Sequence, residues 1–102
     1  MDKEFIFGLK KETIEAINDV FAQYPQIKKA VVFGSRAKGN HRDGSDIDIC
    51  LFGEIDLSLL QRIEESLDEL YLPYTIDLVV YDRIQNQDLK EHIDKVGVDF
   101  SY

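Results

Sequence analysis

The chain has 102 residues, 44% of them hydrophobic and 11% aromatic, which is one domain's worth and enough to bury a modest core rather than remain disordered. A net charge of −8 argues against broad binding to nucleic acid, the lone Cys50 excludes an internal disulfide framework, and no apolar run is long enough to span a membrane. The opening Met1-Asp2-Lys3-Glu4 lacks the basic-then-apolar layout of a secretory signal, and a reducing cytoplasm is the simplest setting.

In chain order, the first pattern is helical. Ile14, Ile17, Phe21 and Tyr24 recur at three- and four-residue steps and predict a helix over about 10–23, ended by Pro25. Ile27–Phe33 reads as a strand, broken by Gly34. Residues 34–45 hold three glycines and four basic or histidine residues, which predicts a short helix near Ser35 and then loop. Asp46–Phe52 alternates like a strand and closes at Gly53. Asp56 is a plausible N-cap for a helix with Leu60, Ile63, Leu67 and Leu70 on its buried stripe, ended by Pro73. Thr75–Tyr81 is the most β-rich segment, and a last helix over 88–96 stops at Gly97. We find no internal repeat and no interdomain linker, so residues 1–102 read as a single domain. The pairing of the strands is left open by periodicity, because so short a connection permits antiparallel or mixed arrangements.

Charge is unevenly spread. Residues 1–45 carry eight Lys/Arg and six Asp/Glu, whereas residues 46–102 carry four and fourteen. The seam falls between Arg42 and Asp46, a junction of basic and acidic groups suited to a metal–polyphosphate ligand. Most of the later acidic residues read as solvated helix faces.

Asp46 and Asp48, two apart on a strand, leave the same face, with Cys50 next in line. Two close carboxylates repel, and a hard divalent cation such as magnesium or manganese removes the repulsion. Asp-x-Asp alone more often marks a half-exposed strand with two solvated aspartates. Asp77 adds to the case, because it interrupts the apolar run Ile76–Val80, where a carboxylate is expensive unless paired or liganded. Gly34-Ser35 offers backbone N–H groups and a hydroxyl at a strand-to-helix turn, a place that suits phosphate, and Arg36 and Lys38 add positive charge. His41 reads as an exposed loop residue and His92 as the polar side of the last helix. Cys50 reads as a small buried hydrophobe. Phe5, Phe7, Phe100 and Tyr102 put aromatics near both ends, where docking on the core is the simpler reading.

The combination resembles the nucleotidyltransferase superfamily with a DNA-polymerase-β-like palm. More narrowly, it resembles the small MNT-type proteins often encoded beside a HEPN-domain protein. The matching stretches are Val32-Phe33-Gly34-Ser35-Arg36-Ala37-Lys38-Gly39, Ser45-Asp46-Ile47-Asp48-Ile49 and Ile76-Asp77-Leu78-Val79, with ten residues between Ser35 and Asp46. The resemblance implies an α+β fold, a mixed, largely antiparallel sheet with helices on one face. It implies that Asp46, Asp48 and Asp77 are catalytic and hold two magnesium ions, with manganese as a substitute. It implies that Gly34 and Ser35, helped by Arg36 or Lys38, grip the outer phosphates of ATP or another nucleoside triphosphate.

The activity so implied is transfer of AMP from ATP to a hydroxyl, a tyrosine of a HEPN-type toxin, by an antitoxin enzyme. Larger members carry an extra helical domain for base and acceptor. Its absence here implies a second subunit or a protein partner, as homo- or hetero-oligomer. The alternative is an antitoxin that neutralises a HEPN protein by complex formation without catalysis. Transfer to RNA or a small molecule is a further possibility, disfavoured by the acidic surface.

Overall fold

Four strands form the central sheet of the computed structural model, which describes residues 5–101. Element order is β1 (Phe5–Ile6), β2 (Leu9–Lys10), α1 (Lys11–Ala22), β3 (Ile27–Phe33), α2 (Gly34–Lys38), β4 (Ile47–Gly53), α3 (Leu57–Asp68), β5 (Ile76–Val80), a 3-10 turn at Tyr81–Arg83, α4 (Gln87–Val96) and β6 (Val98–Asp99). The sheet runs β5-β4-β3-β6. β3 pairs antiparallel with β4 and β6, and β4 pairs parallel with β5. This is the mixed sheet that the resemblance implies.

Alternation along the strands gives each sheet face its own cover. Ile47, Ile49 and Leu51 pair with Ile76, Leu78 and Val80 and turn to one face. There α1 contributes Ile14, Ile17, Val20 and Phe21, and α3 contributes Ile63 and Leu67 to the main core. Burial of these branched and aromatic side chains is the main drive to fold. Asp48 and Cys50 pair with Asp77 and Val79 and turn to the opposite face. On that face α4 lays Ile93 against Val31, Phe33 and Cys50 in a second, smaller cluster. Helices therefore cover both faces, α1 and α3 on one and α4 on the other, where one covered face was expected. The physical reason lies in Val31, Phe33 and Cys50: apolar groups beyond the carboxylates on the second face need a cover of their own.

Asp56 caps α3 as the sequence suggests, and Asn86, not singled out there, caps α4. Asp56 accepts from the Leu59 N–H at 2.8 Å, and Asn86 accepts from the Leu89 N–H at 3.2 Å. The hairpin β1–β2 was not visible to periodicity. Its two turn residues, Phe7 and Gly8, both have positive φ, as a type I′ hairpin turn requires. Phe7 stacks on Phe100 with centroids 6.0 Å apart, so these two terminal aromatics do dock on the core, while Phe5 stays 44% exposed. Tyr102 lies outside the described residues. Among the described residues no helix is long and apolar enough to cross a membrane.

Candidate active site

The sheet brings three distant segments to one end. Phe33, at the end of β3, is the register partner of Asp48 on β4, and Asp48 is the partner of Asp77 on β5. The residue after Phe33 is Gly34, so the strand-to-helix turn abuts the carboxylates. Gly34 has φ +74°, and a Cβ there would run into the Asp48 carboxylate. Glycine thus serves twice, permitting the left-handed backbone and letting Asp48 lie over it. Ser35 is half-buried in the first turn of α2.

The carboxylates differ in setting. Asp48 is half-buried, Asp77 is exposed, and Asp46 is exposed on the loop residue before β4 rather than on the strand. The Asp48 carboxyl is held above its usual range, first by partial burial, then by the charges of Asp77 and Asp46 and a side-chain hydrogen bond with Asp77. His92 pulls it the other way. A carboxylate destabilised by like charges is one that a cation relieves. Among the described residues no three acidic, histidine or cysteine side chains stand in a ready ligating set. The Asp48–Asp77 pair with Asp46 at the lip fits a hard ion of the magnesium type, which takes one or two carboxylates and fills its shell with water and phosphate.

The two basic residues of α2 part company. Lys38 is exposed at the end of α2. Arg36 is 3% exposed and turned inward. It donates from Nη1 to the Phe7 carbonyl at 2.7 Å, and from Nη2 and Nε to the Ser45 carbonyl at 2.7 and 3.2 Å. Its guanidinium lies 5.1 Å from the Tyr74 ring centroid. A phosphate on the surface does not reach it, so the expected grip by Arg36 does not fit this placement. It holds the loop carbonyl next to Asp46 instead. Arginine is suited to this, with several donors in a rigid plane.

Sequence reasoning also misjudged both histidines. His92 is half-buried, with its ring edge-on to Phe33 at 6.1 Å, and so stands on the carboxylate face. Its place follows from α4 covering the second face, which periodicity alone did not reveal. His41 is half-buried against Gly8, and its Nδ1 is buried with no hydrogen-bond partner among the described residues. Cys50 behaves as expected. It is fully buried, and burial foremost, with Asp94 and Asp82 nearby, pushes its thiol up to about 12.

Comparison with known proteins gives this arrangement its relatives. The family described as Polymerase beta, Nucleotidyltransferase matches residues 15–100. A Haemophilus influenzae protein named "Probable protein adenylyltransferase MntA" is 30% identical over 92 residues, covering 88% of this chain and 80% of that protein. A solved structure of a candidate minimal nucleotidyltransferase matches with a TM-score of 0.70 at 23% identity, over 94% of this chain and 97% of that one. A toxin–antitoxin crystal structure with AMP-PNP matches with a TM-score of 0.70 at 20% identity, over 85% of this chain and 71% of that one. At such identities the two structures speak to the fold. The family match runs from within α1 to the far side of β6 and takes in Gly34, Ser35, Asp46, Asp48 and Asp77; the chain belongs to the polymerase beta nucleotidyltransferase family.

Proposed function

We propose that this protein transfers AMP from ATP to a hydroxyl of a protein partner, a tyrosine of a HEPN-type toxin, and so acts as an antitoxin. The observation that carries the reading is the row Phe33–Asp48–Asp77, which sets Gly34-Ser35 beside two facing carboxylates. The relative named for protein adenylyltransferase activity and the fold shared with a toxin–antitoxin protein support it.

Gly34 and Ser35 receive the outer phosphates, with the glycine leaving room for close approach and the serine hydroxyl donating a hydrogen bond. Asp46, Asp48 and Asp77 would hold magnesium, which would supply positive charge against the phosphates. The acceptor oxygen attacks the α-phosphorus in line and the bond to the β-phosphate breaks. Pyrophosphate leaves with the electron pair, and the acceptor hydroxyl gives up its proton to water. Positioning and charge do most of this work. The cytoplasm, where ATP and magnesium are at hand, is the setting this reading requires.

The test is incubation of the protein with α-labelled ATP, magnesium and host lysate. A labelled protein band that the Asp46→Asn/Asp48→Asn double variant fails to produce is the expected result. Protease-resistant but ribonuclease-sensitive label would transfer the activity to RNA. Full toxin neutralisation by the folded double variant would move the function to binding without catalysis.

A further inference from the structure

α4 crosses the carboxylate face, and Ile93 fixes how it sits there. Ile93 is 2% exposed and packs with Val31, Phe33 and Cys50. A helix turns by about 100° per residue, so His92 stands to one side of Ile93, on the flank that meets Phe33 at the end of β3. Its ring meets Phe33 edge-on, with an interplanar angle of 80°. Phe33 faces Asp48 across the β3–β4 pair and directly precedes Gly34. α2 and α4 are in contact at this corner. The imidazole makes no hydrogen bond to any described residue, although it is half-buried.

Beyond the backbone N–H groups and the hydroxyl of Gly34-Ser35 itself, phosphates there would meet few donors. Arg36 gives its N–H groups to the carbonyls of Phe7 and Ser45, and the aspartates are acceptors when ionised. We propose that His92 is a phosphate-contacting residue, whose imidazole N–H donates to the outer phosphates of a nucleoside triphosphate seated at Gly34-Ser35. The contact persists as those phosphates depart, so it favours charge where charge accumulates. The inference rests on the nucleotide reading of the site.

The experiment is calorimetric titration of the full chain with magnesium and α,β-methylene-ATP, which has the outer phosphates but resists transfer. His92→Ala should weaken binding roughly tenfold, the scale of one hydrogen bond to a charged group. His92→Gln, which keeps an amide N–H near the same place, should recover much of that loss. Unchanged binding by His92→Ala overturns the proposal while leaving the nucleotide site intact. Equal weakening by both variants overturns it too, because the effect would then be structural. Absence of binding by the unaltered protein overturns the nucleotide reading itself, and the role of His92 with it.

Discussion

Asp48 and Asp77 are direct register partners across the parallel pair β4–β5, with carboxyl groups near enough to share a hydrogen bond. Neither residue is close to the other in sequence. Their meeting gives the metal-free protein an electrostatic cost at neutral pH that replacement of either charge should relieve.

Asp48→Asn should therefore stabilise the metal-free chain. The folded state holds the Asp48 carboxyl above its ordinary 3.8, so it binds that proton more tightly than the unfolded state does. Ionised Asp48 opposes folding at pH 7, and the penalty fades as pH falls through the folded pKa toward 3.8. Because the group is only half-buried, solvent screening limits the gain to about 0.5–1 kcal/mol. Thermal unfolding in EDTA at pH 7 and at pH 4 should show the variant ahead at the first and level at the second. A variant less stable at both would contradict the repulsion.

Asp77→Ala should separate chemistry from grip. Transfer should fall by at least about a hundredfold, the scale of losing an electrostatic group at a reacting centre. Affinity for the nucleotide should stay within about threefold, since Gly34 and Ser35 are untouched. Undiminished label transfer by this variant would remove Asp77 from the site.

Gly34→Ala and Gly39→Ala make an informative pair. Both glycines have positive φ, +74° and +83°. A methyl at Gly39 meets nothing within 4 Å, while one at Gly34 strikes Asp48. Gly39→Ala should thus show backbone strain alone, roughly 1–2 kcal/mol. Gly34→Ala should cost more and should weaken nucleotide binding as well. Equal denaturation midpoints for the two would mean that Asp48 moves aside freely.

Arg36→Ala should destabilise by about 2–4 kcal/mol, because the Phe7 and Ser45 carbonyls lose their donors inside the protein. Arg36→Lys should recover little, having no planar fork. Lys38→Ala, at an exposed position, should stay within about 0.5 kcal/mol. Urea unfolding distinguishes the three. A stable Arg36→Ala protein with impaired nucleotide binding would return Arg36 to the phosphate site.

Strand β3 was legible to the residue, and β4, β5, α1 and α4 to within one or two, because Ile, Val and Leu recur there with clear periods of two or near four. The hairpin β1–β2 was not, since two-residue strands leave no period to read. β6 was missed for the same reason. Gly34 could be picked out as the break after an apolar strand, Asp46 and Asp48 as a carboxylate pair on one strand face, and Asp77 as a charge inside an apolar strand; the register sets Asp48 beside Asp77 next to Gly34. Arg36 and His92 could not be placed from sequence. Whether a basic side chain in a glycine-rich turn points out or in depends on carbonyls supplied by Phe7 and Ser45. Whether a helix histidine is surface depends on which sheet face that helix covers.

The parallel register of β4 and β5 does more than assemble a site. Side chains alternate along a strand, so slipping β5 by one residue would carry Asp77 into the main core and push Ile76 and Leu78 out of it. Slipping by two would keep the faces but set Asp48 opposite Thr75 or Val79 instead of Asp77. Asp77 is thus also a register mark for folding: a chain that buries its isoleucines, leucines and valines in this register has already lined up Asp48 with Asp77.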